Sequence, residues 1–141
     1  MKRILLSIMA FAILLSCSKD KTVNNNPFLP NYSFSVNVDT NLPTNSNLNF
    51  AGNGVRVFQQ GIGVTGGIIV FNTGTGYNAY DVACPNQSVS TCSILTLDGI
   101  NAVCACDSKS YSLFTGLAAN SQYPLKGYRV EVLGSVIRVY N

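Results

Sequence analysis

Five cysteines and no histidine define the chemistry open to this 141-residue chain. The cysteines are Cys17, Cys84, Cys92, Cys104 and Cys106. Without histidine, no Ser-His-Asp or Cys-His nucleophile system operates. No His-ligated zinc site can form either. No side chain carries an unperturbed pKa suited to general base work at neutral pH. Asp81, Asp98 and Asp107 are scattered along the chain, and Asp81 and Asp98 read as solvated loop acids. Nothing here supports a hydrolase or transferase, and the expectation is a protein that is not an enzyme.

The four later cysteines follow the pattern C-x7-C-x11-C-x-C. Chelating pairs usually hold two to four residues between them, so an all-cysteine metal site is disfavoured and no metal is expected. No Cys-x-x-Cys is present. An even cysteine count in an exported domain normally means disulfides, and four cysteines allow three connectivities. Cys104 and Cys106 are i and i+2. On an extended strand they point to one side and reach two different partners.

Export is written into residues 1–17. Lys2 and Arg3 precede an apolar run of twelve residues, 4–15. That is too short to span a hydrocarbon core of about 30 Å as a helix, so it reads as a secretory signal. Leu14-Leu15-Ser16-Cys17 resembles a bacterial lipobox, which implies lipidation of Cys17 and removal of residues 1–16. Two or three acyl chains would anchor the chain stably to a membrane. Ser18-Lys19-Asp20-Lys21 resembles the charged export tag of Bacteroidota-type surface lipoproteins. The expected location is the cell envelope, anchored to the outer membrane on its periplasmic or surface face. With Lys2 and Arg3 gone, seven basic side chains face six acidic ones. No basic patch argues for nucleic acid.

Residues 17–31 then read as a polar, Asn- and Pro-rich tether, and 32–141 as one domain. Tyr32, Phe34, Val36 and Val38 alternate with polar residues, which predicts a half-buried strand. Further strands are predicted at 55–58, 67–71, 77–82, 93–97, 101–104, 111–114, 129–133 and 137–140. Asp98-Gly99 and Gly134-Ser135 mark tight turns. Residues 41–53 read as a polar loop with Leu48 and Phe50 as anchors. Residues 117–121 hint at a helical turn. Many short strands with glycine-rich turns predict an all-β antiparallel sandwich or barrel. Gly61-Ile62-Gly63-Val64-Thr65-Gly66 satisfies GxGxxG, but a β-branched strand sequence follows where a dinucleotide site needs a helix. It reads as a β-turn.

Two segments carry a family resemblance. Asp81-Val82-Ala83-Cys84-Pro85-Asn86 and Cys104-Ala105-Cys106-Asp107-Ser108-Lys109 resemble the two ligand boxes of the Rieske [2Fe-2S] fold. In that family the boxes are Cys-x-His and Cys-x-x-His, the second often Cys-Pro-Cys-His-Gly-Ser. Tyr111, Ser112, Leu113 and Gly116 fit the extension of the second box. Pro124-Leu125 and two closing strands fit the end of the domain. The resemblance implies a small Rieske-like β fold with two ligand-type loops over 32–141. It places Cys84 and Cys104 at the cysteine ligands, and Asn86 and Asp107 where histidines belong. Cys106 matches a cysteine that forms a disulfide in many members. Its usual partner would stand at Val89, and Cys92 is the available substitute. The resemblance therefore implies Cys84–Cys104 and Cys92–Cys106 bridges, with Cys84–Cys106 and Cys92–Cys104 as second choice.

Imidazole ligands raise a Rieske cluster's potential. An Asn amide is a poor iron ligand and an Asp oxygen a hard one. The leading expectation is thus a membrane-anchored module without a cluster, stapled by disulfides. It would contact an envelope partner at the loop tips around Asn86, Lys109 and Tyr111. The alternative is a [2Fe-2S] electron carrier with substituted ligands. A thiol–disulfide redox protein comes third, because no helix N-terminus stands ready to lower a thiol pKa.

Overall fold

The computed structural model describes residues 25–141. The signal sequence, Cys17 and the first part of the tether lie outside the described residues. Nine strands form two antiparallel sheets. They are β1 (Ser35–Asp39), β2 (Gly54–Phe58), β3 (Gly67–Asn72), β4 (Tyr77–Asp81), β5 (Thr96–Asp98), β6 (Asn101–Val103), β7 (Ser110–Ser112), β8 (Gly127–Leu133) and β9 (Val136–Tyr140). The large sheet runs β1-β9-β8-β4-β3-β2 and the small one β5-β6-β7. The all-β expectation holds.

The apolar run Gly67-Ile68-Ile69-Val70-Phe71 explains the layering. Side chains alternate across a strand, so a continuous apolar run suits burial on both faces. Ile68 and Val70 join a core with Val36, Val38, Ile137 and Val139, inside the curl of the large sheet. Ile69 and Phe71 face the opposite way, toward Cys84, Leu95, Cys104 and Tyr111 beneath the small sheet. The two cores share β3 as a wall. Only two residue pairs join β4 to β8, Ala79 with Tyr128 and Tyr80 with Gly127. Beyond them β8 runs on with β9 over five pairs, which bends the sheet into a half-barrel.

The turns follow their residues. Leu133 pairs with Val136, and Asp98 with Asn101, leaving two-residue loops. Each loop opens with a glycine at positive φ, Gly134 at 64° and Gly99 at 57°. That is the turn whose twist matches antiparallel strands. The GxGxxG segment joins β2 to β3 in an antiparallel pair and opens no helix.

Several local expectations fail. Residues 117–121 contain no helical turn, only a turn at 119–120. The helix among the described residues is one 3-10 turn, Ser46–Asn49, inside the segment read as loop. Leu48 anchors it and is buried, whereas Phe50 is 66% exposed. The 93–97 strand shrinks to β5, with Ile94 making a lone bridge to Ala83. Strand β1 starts at Ser35, later than the alternation suggested.

The end of the predicted tether packs on the domain. Leu29 and Asn26 are buried. The Asn26 amide donates to the Pro85 carbonyl at 2.7 Å. Lys126, itself 1% exposed, donates through Nζ to the carbonyls of Leu29 and Pro30 and to Oδ1 of Asn31.

Candidate functional site: two bridged loops

Residues 84–93 and 104–109 form two loops at one end of the small sheet. The first closes where the Cys84 N–H donates to the Ser93 carbonyl at 2.7 Å. The Ala83–Ile94 bridge sits just below it. The second closes where the Cys104 N–H meets the Lys109 carbonyl at 2.9 Å. Ser108 within it adopts φ 57°, a left-handed conformation that costs an L-residue roughly 1–2 kcal/mol. The resemblance has glycine at this position.

Two disulfides join the loops, Cys84–Cys104 and Cys92–Cys106, with Cα separations of 5.7 and 5.2 Å. Cys84 and Cys104 belong to the buried core, while Cys92 is exposed. The Cys84, Cys104 and Cys106 sulfurs all lie within 4.8 Å of one another. Closing loops of 20 and 14 residues stabilises the fold by about 3 kcal/mol each in the chain-entropy picture.

Asn86 is built into the structure. Its Nδ2 faces the Tyr111 hydroxyl at 2.8 Å, Ser121 Oγ at 2.6 Å and the Tyr123 carbonyl at 3.0 Å. Its Oδ1 accepts from the Tyr123 N–H at 2.8 Å. Asp107 is exposed. Its Oδ1 accepts from the Lys109 N–H at 3.1 Å, and Lys109 Nζ lies 3.9 Å from Oδ2. A surface ion pair of that kind is worth little.

As paired in this structure, these residues do not present a [2Fe-2S] ligand set. The sulfurs of Cys84 and Cys104 are bonded to each other, so neither is a thiolate. The amide of Asn86 is spent on four internal contacts. Asp107 faces Lys109 and solvent. The expected polar patch is also only partly present. Tyr111 is fully buried, because its ring fills the core beneath the loops. Asn86 and Lys109 are both half-buried, Lys109 beside the exposed Asp107.

Asp81 overturns its sequence reading. It is fully buried at the end of β4. It accepts from the Val64 N–H at 2.6 Å, the Ala83 N–H at 2.7 Å and the Tyr128 hydroxyl at 2.6 Å. Burial pushes its carboxyl above the ordinary value, against those donors and the nearby Lys126 charge. Burial likewise lowers Lys126, against the Asp81 charge. Tyr128 is raised by burial first and then by Asp81. Gly63 makes room for this carboxylate. A Cβ there would lie 2.8 Å from Asp81 Oδ2 and 2.5 Å from the Gly67 carbonyl oxygen. Asp81 falls near the end of the 77–82 strand pattern, on the same face as the buried Ala79, but its donors come from distant segments. Asp98, by contrast, is exposed in its turn, as expected.

No family model and no curated protein matches the chain. Among solved structures it is similar to the oxygenase–ferredoxin complex of carbazole 1,9a-dioxygenase. That likeness has 25% identity and a TM-score of 0.46, over 64% of this chain and 82% of that one. It is similar to a Sphingomonas yanoikuyae B1 ferredoxin at 21% identity and TM-score 0.46, over 65% and 88% of the two chains. A protein described as an NADH-dependent nitrite reductase small subunit from Mycobacterium tuberculosis gives 14% identity and TM-score 0.47, over 79% and 97%. Two cysteine loops face each other at one end of a three-stranded sheet, and a closing hairpin of β8 and β9 follows. The chain has an all-β fold in which the two loops that resemble the Rieske ligand boxes are linked by disulfides.

Proposed function

We propose that this chain is a membrane-anchored envelope lipoprotein whose Rieske-like domain carries no cluster and serves as a disulfide-stapled binding or structural module. The observation that carries this reading is the Cys84–Cys104 bridge, buried where the resemblance puts two thiolate ligands. Asn86 supports it, because its amide is committed to Tyr111, Ser121 and Tyr123. The lipobox-like sequence ending at Cys17 supports the anchor. The partner surface is the exposed rim of the loops, from Ser88 to Cys92 and from Asp107 to Ser110.

The anchor is tested by detergent phase partition of the chain produced in a bacterium with an outer membrane. The native protein should enter the detergent phase and take up labelled fatty acid, and Cys17→Ser should do neither. A native protein that stays in the aqueous phase overturns the anchor.

A second reading is a [2Fe-2S] electron carrier with substituted ligands. The three clustered sulfurs of Cys84, Cys104 and Cys106 favour it, since reduction would turn them into adjacent thiolates. It requires a paramagnetic signal after anaerobic reduction.

A further inference from the structure

The two bridges differ in exposure and in surroundings. Cys92 is exposed, and an external thiolate can reach its sulfur. Behind it stand two serines. Ser90 Oγ lies 3.3 Å from Cys92 Sγ and 3.6 Å from Cys106 Sγ. Ser93 Oγ lies 3.8 Å from Cys106 Sγ.

The Ser90 hydroxyl is within hydrogen-bond reach of both sulfurs of the bridge. A serine hydroxyl has one proton to give and two lone pairs to accept with. Ser93 Oγ already accepts from the Ser90 N–H at 2.9 Å and from the Gln87 amide at 3.3 Å. Ser90 Oγ lies 3.1 Å from Ser93 Oγ as well, so its proton is shared between that oxygen and the two disulfide sulfurs within its reach. A thiolate released at Cys106 meets that proton at once, and hydrogen bonding to a charged form favours it. The hydroxyls supply what a helix N-terminus supplies elsewhere.

Cys106 has a second neighbour. Its sulfur is within 4.8 Å of both sulfurs of the buried bridge. We propose that Cys92–Cys106 is a thiol–disulfide exchange site for an external dithiol, and that Cys106 relays the exchange to the buried Cys84–Cys104 bridge.

The steps balance. The dithiol's thiolate attacks Cys92 Sγ, a mixed disulfide forms, and the Cys92–Cys106 bond breaks with its electron pair left on Cys106. The Cys106 thiolate then attacks one sulfur of the buried bridge. A new bond to Cys106 forms, and the electron pair of the broken bond leaves on the other sulfur, which takes a proton from water. The second thiol of the reagent resolves the mixed disulfide, freeing Cys92 as a thiol and leaving the reagent oxidised. One dithiol is oxidised and one protein bridge is reduced. Exchange speeds up as the leaving thiol becomes more acidic.

The relay is tested in the mature chain with Cys92→Ser, which frees Cys106 beside the intact buried bridge. After an acid quench, unfolding and alkylation, peptide mapping should find label on Cys84 or Cys104 and a bridge that includes Cys106. Label confined to Cys106, with Cys84–Cys104 retained, overturns the relay. Should that variant not fold, limiting dithiothreitol on the native chain gives the same reading. Cys84 or Cys104 must become alkylated along with Cys92, and reduction confined to Cys92 and Cys106 overturns the relay. Ser90→Ala should slow the first step about threefold, because the leaving thiolate loses a hydrogen-bond donor. An unchanged rate removes the hydroxyl from the mechanism and overturns this part.

Discussion

The side-chain amide of Asn86 donates to the phenol oxygen of Tyr111 at 2.8 Å and ties the first cysteine loop to the core under the second. The same side chain holds the backbone of Tyr123 from both sides, giving to its carbonyl and accepting from its N–H. A position that the resemblance assigns to a metal ligand has become a structural cross-tie. Replacing it with alanine leaves the Tyr123 N–H and the Tyr111 hydroxyl short of partners. Asn86→Ala should therefore lower stability by about 2–3 kcal/mol, read from urea unfolding. A change near zero would mean the amide is not a cross-tie.

Ser108→Gly should act the other way. Ser108 sits at φ 57°, where glycine is at ease. Relief of the left-handed backbone outweighs glycine's larger unfolded-state entropy, for a net gain of about 0.5–1 kcal/mol. Thermal unfolding of the variant should move up, and a lower midpoint would contradict the backbone argument.

Much of this was legible in the residues, for identifiable reasons. Val36, Val38, Ile137 and Val139 alternate, and period-2 patterning fixes a strand without tertiary help. The Gly134-Ser135 turn is local chemistry and needs no distant partner. What stayed hidden depends on distant contacts. Asp81 is buried because Val64, Ala83 and Tyr128 converge on it, and two of these lie far off in sequence. Leu29 is buried because Lys126 reaches it across 97 residues. Tyr111 fits an exposed loop or a core equally well by sequence, and only the packing beneath the small sheet decides.

The Lys126 contacts carry a consequence for the tether. Lys126→Met keeps the packing and removes three hydrogen bonds to Leu29, Pro30 and Asn31. The lost hydrogen bonds are partly offset by the burial cost of the ammonium, which Met does not bear, so the net loss should be about 1–2 kcal/mol. Amide exchange at residues 26–34 should quicken while that in β3 holds. Uniform acceleration across the chain would show that the contact supports the whole fold instead.

Asp81 gives a pH signature. Its folded pKa is raised, mainly by burial, so the folded state holds its proton more tightly than the unfolded chain. Stability from this group is complete below the ordinary carboxyl value and is lost as pH rises through the raised one. Asp81→Asn removes that slope. The stability gap between wild type and Asp81→Asn should be wider at about pH 4 than at about pH 7. A gap that widens toward neutrality would mean the three donors outweigh desolvation.

The claim that matters most is that two thiolate positions have become a bridge. The direct measurement is iron and free-thiol content of the mature chain, purified anaerobically without added reductant. The account predicts colourless protein, no iron and no alkylatable thiol at Cys84, Cys92, Cys104 or Cys106. Brown protein with about two irons per chain and free thiols at Cys84 and Cys104 would contradict it.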